Sequence, residues 1–221
     1  MARREPDESA PSLTELLGGR TGLLDAAGPA AAFVVGWARS GGDDSRAALW
    51  WGAGAGVAAG LLLAGYRWST GRRPAAVLLG LLGVVLAAAV ALRTGRAADF
   101  FLLQIASNAA SALVWAVSIL VRWPLLGVVV GLTLGQRFRW RSDPDLARGY
   151  RRASWLWVGQ YLARLAVFVP LYRADQVFAL GVARALTWMP LLVCVLASWP
   201  LVRSALPPDH PGIRHPRSSS R

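Results

Sequence analysis

Residues 100–121 read FFLLQIASNAASALVWAVSILV, from Phe100 to Val121, an apolar stretch without a charged residue. About 20 apolar helical residues cross roughly 30 Å of hydrocarbon, so this stretch is long enough to span a bilayer. Outward from it the chain offers four more segments of that kind: Ala47 to Tyr66, Pro74 to Leu92, Ala153 to Tyr172 and Val177 to Val202. Gly22 to Ala38 makes a sixth at the lower length limit, with Asp25 in its first turn and Pro29 beyond it. The predicted fold is all-α: a polytopic transmembrane helical bundle of six spans, or of five if that segment falls short.

Composition agrees. The chain is 55% hydrophobic and 16% charged, with a mean hydropathy of +0.41, where a soluble domain carries about 25% charged residues. One cysteine, Cys194, excludes a disulfide-stapled scaffold, and the 23 glycines show no three-residue period. All 24 basic residues are Arg, and the net charge is +12. They are spread through hydrophobic sequence rather than along one soluble face, which speaks against nucleic acid as a partner and for orientation in a membrane.

Short loops rich in basic residues stay in the cytoplasm. With six spans, one side holds Arg3, Arg4 and Arg20, then Arg67, Arg72 and Arg73, then seven from Arg122 to Arg152, then Arg203, Arg214, Arg217 and Arg221; that is 17 Arg in all. The other side holds five: Arg39, Arg46, Arg93, Arg96 and Arg173. Both termini are therefore expected in the cytoplasm, with the chain a multi-pass protein of the inner (plasma) membrane. Nine of the tryptophans, Trp140 among them, fall near predicted span ends and read as headgroup anchors.

Three regions follow. Residues 1–20 are a cytoplasmic, partly disordered N-terminal segment, in which Ser12 and Glu15 have capping-box spacing ahead of Leu16 and Leu17. Residues 21–203 form one transmembrane domain. Residues 204–221, with Pro207, Pro208, Pro211, Pro216 and a serine run, read as a disordered tail. Within the domain, Pro124 to Leu134 would reach only about 16 Å as a helix and cannot cross, so it belongs to the inner interface. The Arg122 to Arg152 loop that contains it is a candidate for anionic lipid headgroups, although the orientation rule alone also explains its charge.

Reaction chemistry is not visible. His210 and His215 both lie in the tail, no phosphate loop or nucleophile elbow occurs, and Cys194 in an apolar stretch reads as a small buried hydrophobe. The expectation is a non-enzyme with no catalytic residues, no cofactor and no metal.

Two features rise above this background. Gly52, Gly56 and Gly60, four residues apart, form a small-residue stripe that lets another helix approach closely. At membrane depth lie Gln104, Ser107, Asn108 and Ser111 on the fourth span, Gln160 and Arg164 on the fifth, and Arg184 on the sixth. Arg164 sits near the middle of its span, where insertion costs at least about 2.5–3.5 kcal/mol, so it must face protein or water. Gln104, Asn108, Gln160, Arg164 and Arg184 are thus a candidate polar cluster, either an interhelical clamp or an anion site. A short echo, Arg20-Thr21-Gly22 with Asp25 against Arg93-Thr94-Gly95 with Asp99, also precedes each set of three spans.

The stretches Leu16-Leu17-Gly18-Gly19-Arg20 with Gly22-Leu23-Leu24-Asp25, Arg93-Thr94-Gly95-Arg96-Ala97-Ala98-Asp99-Phe100-Phe101, Val121-Arg122-Trp123-Pro124-Leu125, and Trp155-Leu156-Trp157 through Leu171-Tyr172-Arg173-Ala174-Asp175-Gln176 carry a resemblance. Over about Leu16 to Val202 the chain resembles the actinobacterial membrane family called domain of unknown function 3159. More distantly, its basic-Pro-Leu turn and Trp-rich span are similar to the intracellular septation protein A family. The resemblance implies no catalytic residues, and it marks Arg20, Asp25, Arg96, Asp99, Arg122, Pro124, Arg164, Asp175 and Arg184 as positions of interest. Two functions stand open: a non-enzymatic structural or interaction protein of the cell envelope, with a homo-oligomer or other envelope proteins as partners, and a small transporter or channel that draws an anionic substrate to Arg164 and Arg184.

Overall fold

The computed structural model describes residues 19–70, 75–136 and 138–213, and every regular element among them is helical. The expected N-terminal capping box at Ser12 lies outside the described residues. The chain divides into two compact units, with the break between Ala97 and Ala98.

The first unit holds α1 (Gly19–Arg39), α2 (Arg46–Ser69) and α3 (Ala75–Thr94). Ser45 starts α2: its backbone is extended, and its hydroxyl accepts from the Ala48 N–H at 3.2 Å, satisfying one of the donors a helix start leaves open. Helix α2 packs against both α1 and α3, and its glycines set how closely. A Cβ on Gly52 would stand 3.1 Å from the Phe33 carbonyl oxygen, and one on Gly56 3.1 Å from that of Pro29. On Gly60 it would meet Leu81 Cδ1 at 2.7 Å. A fourth glycine completes this contact from the other side, since a Cβ on Gly36 of α1 would lie 2.7 Å from the Trp51 carbonyl oxygen. Phe33, fully buried between them, contributes about 1.5–3 kcal/mol by leaving water. The loop that returns from α3 is tied to the one before α2, because the Ala97 N–H donates to Asp44 Oδ1 at 2.9 Å.

The second unit is organised on α6 (Pro144–Arg173), a 30-residue helix against which α4 (Leu102–Leu120), α5 (Leu125–Thr133), α7 (Val177–Ala185) and α8 (Trp188–Arg203) all pack. Asp143 caps its start by accepting from the N–H groups of Asp145 and Leu146, each at 3.2 Å, and Pro144 supplies a first-turn residue that needs no acceptor. The ends of α4 and α6 share one solution. Arg122 and Asp175 have φ of 57° and 50°, and the next residue closes the turn: Trp123 N–H donates to Ser118 O at 2.8 Å and Gln176 N–H to Leu171 O at 3.0 Å. Both are Schellman caps with a charged residue where glycine is usual. Two of the positions marked by family resemblance, Arg122 and Asp175, thus have a backbone task.

Three departures from the sequence reading have physical causes. The segment Val177 to Val202 is two helices, because Pro190 has no N–H to give the Leu186 carbonyl and its ring crowds that carbonyl. The tail expected to be disordered folds back as far as Ile213: His210 Nε2 lies 2.8 Å from Asp143 Oδ2 with both side chains buried, and Leu206 and Ile213 pack on the core formed by Leu126, Trp140, Leu146, Tyr150, Ala153 and Val202. Trp140 is no headgroup anchor. It is 1% exposed, edge-on to Tyr150 with ring centroids 5.6 Å apart, and the missing Cβ of Gly127 makes room for it. The short helix α5 spans most of the expected interfacial segment Pro124 to Leu134. The internal echo has no structural counterpart: Arg20-Thr21-Gly22 lies within α1, whereas Arg93 and Thr94 end α3 and Gly95 follows with φ 77°.

Among the described residues three helical stretches are long and apolar enough to cross a membrane: Arg46–Ser69 and Ala97–Leu120, each of mean hydropathy 1.6, and Val177–Arg203, of 1.8. Their outer faces are strongly apolar. Leu62, Leu120 and Leu196 are among the large side chains left exposed there, and helix faces so rich in exposed apolar side chains suit lipid rather than water.

Candidate functional site

The five candidate polar residues, all in the second unit, fall into two bonded groups, with Gln160 in neither. Arg184, in the last turn of α7, donates from Nη1 to Gln104 Oε1 on α4 at 2.6 Å. Gln104 Nε2 in turn donates to Asn108 Oδ1 at 3.4 Å, the one-turn spacing that the sequence placed on one face. Asn108 is 2% exposed and its Nδ2 has no hydrogen-bond partner.

Arg164 belongs to the second group. Its Nη2 donates to the Thr187 carbonyl oxygen at 2.6 Å, and its guanidinium carbon lies 5.5 Å from the Tyr161 ring centroid. Thr187 sits in the break that Pro190 imposes, and its hydroxyl donates to the Arg184 carbonyl. A broken helix is one of the few places at membrane depth where a backbone carbonyl can serve a cation. Both arginines retain a buried Nε without a partner.

Gln160, on α6, is buried with neither amide atom hydrogen-bonded, and the Ser154 hydroxyl is likewise buried and unbonded. The structure therefore joins Gln104, Asn108 and Arg184, joins Arg164 to a residue the sequence reading missed, and leaves Gln160 with no bond to either. Ser107 is exposed and bonds back to its own helix at the Gln104 carbonyl, 3.0 Å away. Thr187 was legible in principle: Trp188-Met189-Pro190 inside a 26-residue apolar run, Val177 to Val202, marks a helix break, hence an available carbonyl.

The charges marked by resemblance have separate places. Asp99 is 5% exposed and accepts from the Tyr172 hydroxyl at 2.6 Å. Arg96 lies in the turn after α3, where its N–H meets Thr94 Oγ1 at 3.5 Å. The side chains of Arg20 and Asp25 lie outside the described residues. In the basic loop, Arg141 stacks on Trp123 at 4.1 Å from the ring centroid and Arg148 pairs with Asp145 at 3.2 Å, so part of its charge is engaged within the chain. Cys194 is buried, its Sγ 3.7 Å from the Leu156 carbonyl oxygen. Among the described residues no three His, Cys, Asp or Glu stand close enough to hold a metal.

Beside Arg164 and Thr187 the helices α6, α7 and α8 leave a groove of about 580 Å³, lined otherwise by apolar side chains such as Val167, Phe168, Phe178, Val182, Leu186 and Met189. Its volume is that of a small-molecule site. A cation in an apolar wall can hold an anion and has no proton to exchange near neutral pH, because a guanidinium stays charged.

No curated protein and no solved structure matches the chain. The family model described as Protein of unknown function (DUF3159) matches residues 17–209, a range that takes in the helices of both units and the tail as far as Asp209, and the chain belongs to that family.

Proposed function

We propose that the chain is a six-span protein of the inner (plasma) membrane with both termini in the cytoplasm, acting as a non-enzymatic structural or interaction protein of the cell envelope. Three apolar stretches of spanning length support the membrane placement. The 17 to 5 division of Arg between alternate loops supports the other spans and the orientation. The observation that carries the functional reading is that Arg184 and Arg164 are bonded to other elements, to Gln104 and to the Thr187 carbonyl, as interhelical clamps are. An actinobacterial source and a distant kinship with the intracellular septation protein A family belong to the same proposal, resting on the Arg-only composition and the Arg122-Trp123-Pro124-Leu125 turn. Its partners are the bilayer, with anionic headgroups at the Arg122 to Arg152 loop, and further copies of itself or other envelope proteins.

A second reading, a small transporter or channel for an anion, draws on the partnerless Nε atoms and the groove at Arg164. Photo-crosslinking from the exposed face of α2 in cells, run beside anion efflux from proteoliposomes, separates the two. Discrete adducts without efflux support the first. Efflux that Arg164→Leu abolishes replaces it with the second.

A further inference from the structure

The stretches 100–121, 153–172 and 177–202 contain two arginines and no carboxylate. Among the described residues Arg164 makes one hydrogen bond, to Thr187 O, so its remaining N–H donors have no protein acceptor. A charged group at membrane depth is paired or lines a polar path, and beyond the Thr187 carbonyl the described residues offer Arg164 no further acceptor, so an anion in the groove would complete its bonding. We propose that the groove between α6, α7 and α8 binds a long-chain carboxylate, with the carboxylate on the Arg164 guanidinium and the hydrocarbon chain along Val167, Phe178, Val182 and Met189.

Three observations select this ligand. The groove has one charge, with Thr187 beside it, and an otherwise apolar lining, which matches one anionic head on one apolar tail. Arg164 is nine residues before Arg173, the end of α6, and therefore about 14 Å along the helix from it. A phospholipid headgroup held at the bilayer surface does not reach that far, whereas a single-chain acid entering from the lipid does. Finally, a guanidinium presents its donors as a planar fork that a carboxylate, like a phosphate, fits with two oxygens at once, and it is the depth of the site that favours the carboxylate. The site rests on the membrane reading for the depth of Arg164 and for access, and it stands under either function proposed above.

The full chain in phosphatidylcholine nanodiscs is titrated with radiolabelled palmitate, with hexadecanol and phosphatidylglycerol as competitors. The expected result is saturable binding of one palmitate per chain, weakened at least tenfold by Arg164→Gln and at least tenfold by Val182→Trp, which fills the groove and keeps the charge. Hexadecanol, of equal length and uncharged, does not compete, and neither does phosphatidylglycerol. Melting temperature and gel filtration accompany each variant, and if Arg164→Gln does not fold, Val182→Trp and the hexadecanol competition still decide. Non-saturable uptake overturns the site, as does equal competition by hexadecanol, which would make the groove merely apolar. Displacement by phosphatidylglycerol overturns it in favour of a phospholipid. None of these failures touches the span count, which is read from side-specific labelling of loops.

Discussion

Gln104 Oε1 and Arg184 Nη1 stand 2.6 Å apart although their residues are 80 positions apart in the chain, so one amide ties α4 to α7. Gln104 also bonds Asn108, and the three side chains carry a single positive charge. A hydrogen bond to a charged group is worth about 1.5–3 kcal/mol. Gln104→Leu, which strands the guanidinium, is expected to cost about 2–3 kcal/mol in detergent unfolding. Arg184→Leu should cost less, because it also removes the desolvation penalty. The double variant should be more stable than the sum of the single effects, and simple additivity would show that the contact carries no energy.

The glycines of the first unit are expected to rank by what a new Cβ meets. Gly36→Ala drives a methyl to within 2.7 Å of the Trp51 backbone oxygen and should cost about 1–3 kcal/mol. Gly60→Ala meets only the end of Leu81, which can turn aside, and should be milder. Gly54→Ala meets nothing within 4 Å and should stabilise by about 0.5–1 kcal/mol through helix propensity. Thermal unfolding of the three variants gives the order directly.

Arg122, at φ 57°, lies in the left-handed region that a Cβ disfavours by about 1–2 kcal/mol. Arg122→Gly should leave stability unchanged or raise it, and Arg122→Val should lower it by about 1–2 kcal/mol relative to glycine. If valine and glycine prove equal by thermal unfolding, the Schellman cap contributes nothing.

These predictions also show how far the sequence could be read. The helical class, the glycine stripe and the need of Gln104, Asn108, Arg164 and Arg184 for polar partners were legible because each rests on local spacing or on the cost of a polar group in apolar sequence. Partner choice was legible only in part. A carbonyl on a neighbouring span was one acceptor open to Arg164 beside Asn108 and Gln104, and the one it takes is that of Thr187, since Pro190 opens the backbone there. The fold-back of residues 204–213 escaped notice because a proline-rich segment has no periodicity, and what holds it, the buried His210 to Asp143 contact and the packing of Leu206 and Ile213, joins residues far apart in sequence. Trp140 misled for a related reason: an indole near a span end suits a headgroup, and only the tertiary fit to Gly127 and Tyr150 shows it to be core.

Tyr150 gives the fold an alkaline limit. Burial, with the nearby Asp143 carboxylate adding to it, pushes its phenol up to about 12 from an ordinary value of 10.0. The folded state therefore holds this proton more tightly than the unfolded chain. Its contribution to stability is complete below about pH 10 and is lost as the pH rises towards 12. Tyr150→Phe should flatten the decline in unfolding free energy between pH 10 and 12, and an unchanged slope would assign that decline to other groups.

The most direct measurement is side-specific labelling of single cysteines in intact cells, introduced at Ser40, Thr94, Ala174 and Ser142 in a Cys194→Ala background, with a membrane-impermeant maleimide. The account predicts labelling from outside at residues 40, 94 and 174, and labelling at residue 142 only after the cells are opened. External labelling at residue 142, or protection at any of the other three, would contradict six spans with both termini in the cytoplasm.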